Sequence, residues 1–359
     1  MTEAERTPVQ DPTQIPEELF EEIPRRKLTR EARTIRPRKV FSRVGLALVV
    51  WALAPILPQS LLMGAAMAVE MTGVIPQGAI TASPWFLWVL AFGTTYLVGF
   101  PLCFVVLDTL PKAPPHRERL APRDFFALLL MCFPVMQIGN LLGTLLAALL
   151  SGGQAVNSLD VMMQDAIPGW VKVLVLVVLA PLVEETAFRK LLLDRTCRYG
   201  ERVAVIFSAA MFALFHMNLY QSFYTFGVGV LLAYVYIRTG RLRWPLALHM
   251  IFNFAGGALP LWLQQDLDLG ALQQAGWAAM GEMGPALLGL GVYGLAMLGL
   301  SIWGLVLLIR RWRRARFLPA PLELAGRDRF MVPCLNVGVI LLFALCVAST
   351  VISLLGLGL

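Results

Sequence analysis

The sequence predicts an all-α, polytopic transmembrane bundle of about eight or nine helices, on three observations. Of its 359 residues, 58% are hydrophobic and 15% charged, against roughly 25% charged in soluble domains. The charges are clumped, leaving uncharged windows at 44–69, 71–107, 125–159, 203–237, 244–265, 283–309 and 330–359. Each exceeds the ~20 apolar residues that cross ~30 Å of hydrocarbon. Lysine and arginine then fall on alternate connections, the pattern produced when basic loops stay on the cytoplasmic side.

Taken in order, residues 1–43 are polar, charged and Pro-containing, and read as a disordered basic cytosolic tail rather than a signal peptide. Its basic stretch from Arg25 to Arg43 could rest on anionic lipid. Apolar runs of this length in lipid must be helical, because every backbone amide needs an internal partner. The expected spans are 44–69, 85–107, 125–151, 168–194, 203–217, 221–237, 244–260, 284–309 and 331–356. With the N-terminus cytoplasmic, 29 of the 30 Lys and Arg residues lie on the cytoplasmic side. The exception, Lys172, stands near Trp170 at an outer end, where its ammonium can snorkel.

The window 203–237 needs dividing. Basic residues flank it at Arg202 and Arg238, yet as one helix it would measure ~52 Å. Two short arms with a hairpin near Met217–Gln221, turning below the outer surface, satisfy both facts. Short recessed helices are tolerated where longer ones wrap them around a cavity. The chain thus divides into the tail (1–43), N-terminal spans (44–167), a core (168–260) and C-terminal spans (261–359). The five cysteines form no CxxC pair and read as apolar filler.

Ionisable groups inside a membrane are expensive and usually functional. Here they gather on three helices: Glu184, Glu185 and Arg189 on the fourth, His216 on the fifth, and His249 with Asn253 on the seventh. Glu185 and Arg189 have the i,i+4 order of an ion pair, and His249 and Asn253 share one face. Glu184 is rotated by ~100° from Glu185 and need not share that arginine. Counted from the basic ends at 1.5 Å per residue, Glu184 is ~16 Å deep, His216 ~21 Å, Asn253 ~15 Å and His249 ~9 Å, so one shared polar layer is expected.

Peptide hydrolysis needs an activated nucleophile, a base and donors for the oxyanion. Glu184 with His216 can hold and deprotonate a water, His249 and Asn253 can donate to an oxyanion, and Glu185 with Arg189 can shape the field. No GxSxG, histidine-adjacent cysteine or HExxH is present, so no covalent or conventional zinc-peptidase route competes. No cofactor is expected. A divalent metal such as zinc stays open as a rival, since two carboxylates and two histidines form a plausible ligand set.

These motifs resemble those of the CPBP family (CAAX protease and bacteriocin-processing, or Abi), which includes the type II CAAX prenyl endopeptidases. The family pattern EExxxR, FxxxH and HxxxN is met by Glu184-Glu185-x-x-x-Arg189, Phe212-x-x-x-His216 and His249-x-x-x-Asn253. The resemblance spans about 168–258 and implies a glutamate-dependent intramembrane endopeptidase. In it Glu184 and His216 activate water, and His249 and Asn253 form the oxyanion hole. A catalytically silent peptide-binding or bacteriocin-immunity protein is the alternative, and a proton-coupled transporter a further one. The expected partners are membrane lipids and a membrane-associated peptide or protein substrate, with no nucleic acid, and the expected location is a bacterial plasma membrane. Gly289–Gly294 spells GxGxxG, but no strand precedes it, so helix packing explains it better than nucleotide binding.

Overall fold

The computed structural model describes residues 35–115, 118–154, 157, 166–264, 267 and 277–355. Residues 1–34 of the tail and His116 lie outside them. Among the described residues every regular element is helical. The chain is an integral membrane protein built as a polytopic helical bundle. Its helices are α1 (Pro37–Met71, bent where Pro55 interrupts it), α2 (Pro84–Asp108), α3 (Pro122–Ser151), α4 (169–196), α5 (Glu201–Phe215), α6 (Leu219–Thr239), α7 (Arg243–Gln264), α8 (Trp277–Trp312), α9 (Asp328–Cys334) and α10 (Val337–Leu354).

All nine expected spans have a helical counterpart, but among the described residues six helices are long and apolar enough to cross a membrane by length and composition: α1, α2, α3, α7, α8 and α10. The other three are the motif helix α4 and the two arms α5 and α6. The reason is chemical, since α4 carries the buried charges and α5 has 15 residues. The ninth expected span is split. Leu335 leaves helical geometry, and the Asn336 side chain accepts from Val339 N at 3.1 Å while donating to Pro333 O at 2.7 Å. Asn336 therefore caps one helix and stops another.

Close backbone approach sets the packing. Gly139 and Gly143 of α3 lie against the α6 backbone at Tyr224 and at Leu219–Tyr220, and Gly304 of α8 lies against Leu130 of α3. A side chain at any of these would strike main-chain atoms, as expected where small residues let membrane helices meet. Of the GxGxxG glycines, Gly289 faces Leu263, whereas Gly291 and Gly294 face open space. That run contributes to packing at one position only.

Five wide π turns occur among the described residues, at Val89–Gly93, Thr95–Gly99, Leu174–Leu179, Thr186–Leu191 and Phe254–Ala258. All lie on α2, α4 and α7. Such turns insert one residue into the helical ladder and recur at functional sites. At the end of the bundle opposite the arginine-rich one, the α1–α2 connection folds over Glu70. Its carboxylate accepts from Gly78 N, Ile80 N, Thr81 N and Thr81 Oγ1 at 2.7–3.1 Å.

Candidate active site

The motif segment of α4 is a single α-helical turn, Ala180–Glu185, with a π turn on each side. In a π turn the Leu176 carbonyl would look to residue 181, which is a proline without an N–H. That carbonyl is taken instead by Asn253, whose Nδ2–H donates to it at 3.0 Å. One motif residue thus clamps the backbone that presents the others.

Glu185 and Arg189 form the ion pair expected from their spacing, Oε2 to Nε at 3.0 Å, and both side chains are fully buried. The pair is not isolated. Arg189 Nη1–H donates to Ser208 Oγ at 3.1 Å, and the Ser208 hydroxyl donates to the Phe188 carbonyl at 2.9 Å. The guanidinium also lies over the Phe212 ring, 4.8 Å from its centre. On the other side of Glu185, His249 Nδ1–H donates to Oε1 at 2.9 Å. The opposite edge of the same imidazole faces Glu184, Nε2 to Oε2 at 3.6 Å.

His249 therefore stands between the two carboxylates, and four polar groups from α4 and α7 form one chain: Arg189, Glu185, His249 and Glu184. Glu184 differs from the rest in being half-buried and in accepting no hydrogen bond among the described residues. It is the member of the chain with an open acceptor.

His216 occupies the C-cap of α5, immediately before Met217, whose φ of +53° is unique among the described non-glycine residues. Asn218 braces this turn, its Nδ2–H donating to His216 O at 2.9 Å and its Oδ1 accepting from Gln221 N at 2.9 Å. Left-handed backbone at a non-glycine residue is strained and persists where the surroundings impose it. His216 Nδ1–H donates to the Phe212 carbonyl at 2.8 Å. A carbonyl only accepts, so the ring proton sits on Nδ1 and Nε2 is left as an acceptor. Among the described residues no hydrogen bond or ion pair joins His216 to Glu184. The two imidazoles instead share Phe212, which meets His216 edge-on at 4.7 Å and His249 at 5.9 Å.

Ser208 and Phe212 had no assigned role in the sequence reading, although a signal existed. Ser208, Phe212 and His216 recur every fourth residue, so they form one stripe down α5 that faces α4 and α7. Among the described residues no group of three or more His, Cys, Asp or Glu side chains is arranged to hold a metal ion. A groove of about 240 Å³ between α3, α6 and α8 is lined by apolar side chains and contains no motif residue.

No curated protein and no solved structure matches the chain. A family model does match, over residues 166–255, and its description is type II CAAX prenyl endopeptidase Rce1-like. That stretch contains all three motifs and the whole chain of polar groups from Arg189 to Glu184. Over residues 166–255 the protein is accordingly similar to that family, in keeping with the CPBP resemblance of its motifs.

Proposed function

We propose that this protein is an intramembrane endopeptidase that hydrolyses a peptide bond in a membrane-associated peptide or protein, using water activated by Glu184. The observation that carries this reading is the convergence of Glu184, Glu185, Arg189 and His249, drawn from helices about 60 residues apart in sequence, within a segment that matches an endopeptidase family. Buried charge of this kind is expensive in a bilayer, and one carboxylate is left free to accept a proton.

In the proposed reaction, Glu184 takes a proton from water as the water oxygen attacks the scissile carbonyl carbon. His216, with its bare Nε2, helps to orient that water. Glu185 holds the His249 ring in one tautomer, and Arg189 neutralises Glu185. Asn253 has a second amide N–H to offer the oxyanion. Collapse of the tetrahedral intermediate breaks the C–N bond, and the proton returns from Glu184 to the leaving amine. The activity of the matched family makes a prenylated CAAX peptide the first substrate to try.

The test is cleavage of an internally quenched farnesylated CAAX peptide by protein reconstituted in liposomes. Wild type should cleave it and Glu184→Gln should not. Equal cleavage by the two would remove Glu184 from its role. Chelator treatment decides the metal rival: on the reading proposed here, turnover survives it.

A further inference from the structure

Helices α2 and α4 run parallel, and three contacts set their register. Arg195 Nε donates to the Leu107 carbonyl, an offset of 88 residues. At that offset Phe100 stands opposite Phe188, and both rings meet Trp51, at 5.4 and 6.1 Å. Nearer the other end, Trp88 and Phe92 pack in one cluster with Val171, Val175 and Leu176. Each helix has a π turn between the site level and the Leu107–Arg195 contact, Thr95–Gly99 on α2 and Thr186–Leu191 on α4. The inserted residues match, and the register is kept.

The same offset sets Tyr96 opposite Glu184. Tyr96 continues the stripe of Trp88 and Phe92, two residues already packed on α4, and its ring lies 5.9 Å from that of Phe92. It is half-buried, and its hydroxyl makes no hydrogen bond among the described residues. The phenol also lies within electrostatic reach of the Glu184 carboxylate. A free donor on α2 thus stands at the level of the free acceptor on α4, with no hydrogen bond between them.

The donors assigned to the oxyanion by the family resemblance are already partly committed. His249 directs Nδ1–H at Glu185, and Asn253 gives one N–H to Leu176. While His249 is neutral, its Nε2 carries no proton, which leaves a single amide N–H. Oxyanion stabilisation ordinarily draws on more than one preorganised donor.

We propose that Tyr96 is a further catalytic residue of this site, its hydroxyl donating a hydrogen bond to the scissile carbonyl oxygen as that oxygen gathers negative charge. This role rests on the peptidase reading of Glu184. As water adds to the carbonyl carbon, the C=O π pair moves onto the oxygen held by Tyr96, and the water proton passes to Glu184. The phenol keeps its own proton throughout.

The experiment compares wild type, Tyr96→Phe and Glu184→Gln in liposomes with the farnesylated CAAX peptide. Removing one oxyanion donor lowers kcat by about 10²–10³-fold, and that fall is expected for Tyr96→Phe, with KM changed by less than about twofold and Tm unaltered. If Tyr96→Phe turns over like wild type while Glu184→Gln is inactive, Tyr96 has no catalytic role and the peptidase reading stands. A lower Tm accompanying the loss would make the hydroxyl structural and overturn the proposal. Cleavage by Glu184→Gln at the wild-type rate would instead remove the peptidase reading, and this one with it.

Discussion

Two buried charge clusters lie on the same stretch of chain, separated by little more than one helical turn. In the first, formed by Glu184, Glu185, Arg189 and His249, one carboxylate is left open: Glu184 accepts no hydrogen bond among the described residues. In the second, at the arginine-rich end, Arg195 donates to Leu107 O, Leu191 O and Asp108 Oδ1. Asp194 accepts from the Tyr236 hydroxyl at 2.8 Å and pairs with Lys190 at 3.0 Å. Glu201 takes Arg238 at 2.6 Å and Leu318 N at 2.7 Å.

The contrast separates burial for architecture from burial for chemistry. Charge buried to hold helices together is stabilising only when its hydrogen-bonding capacity is filled. Charge kept for proton transfer must retain an open lone pair, and that opening has to be tolerated by the packing around it. The α5 stripe supplies the packing: Ser208 and Phe212 fix Arg189 and both imidazoles while leaving Glu184 untouched.

The largest effect should come from the open carboxylate. Glu184→Gln keeps the shape and removes the base, so turnover should fall by about 10²–10⁴-fold, with the thermal melting curve unchanged. Arg189→Lys is next and should damage both properties. Lysine keeps the charge but loses the fork that reaches Glu185 and Ser208 together, so activity should fall by more than tenfold alongside a measurable drop in Tm. An Arg189→Lys protein of full activity would reduce the first cluster to an ordinary ion pair.

Arg195→Ala tests the other side of the comparison. It removes the side-chain donor to the Leu107 and Leu191 carbonyls and one of the two ion-pair partners of Asp108, and should destabilise the fold by about 1.5–3 kcal/mol, while the folded fraction keeps its kcat. Loss of kcat without loss of stability would show that the two clusters are coupled. The smallest effect is expected from Ser208→Ala, about 1 kcal/mol. It should appear as a few-fold loss of turnover that Ser208→Thr restores, because threonine returns the hydroxyl.

Much of this was readable beforehand. The uncharged windows and alternating basic segments predicted the helices, and the length of the 203–237 window, with basic residues at both ends, predicted the hairpin near Met217–Gln221. The spacing of Glu185 and Arg189 predicted their ion pair. The position of His249 between two carboxylates was not readable, because periodicity gives the face of a helix and not its rotation against a neighbour. Tyr96 was invisible for the same reason: a tyrosine in an apolar span carries no mark until the register of α2 on α4 is known. The π turns leave no clear sequence signal either, apart from Pro181, whose missing N–H frees the Leu176 carbonyl.

By itself the sequence determined that the chain lives in a membrane as a helical bundle, which residues are too polar to face lipid, and which of them share a helical face. Those properties follow from transfer energies and from 3.6 residues per turn, both local. The tertiary structure decided which carboxylate is saturated and which stays open, how His249 is shared and what stands opposite Glu184. Such facts depend on the translation and rotation of one helix against another, set by side-chain packing between segments far apart in the chain.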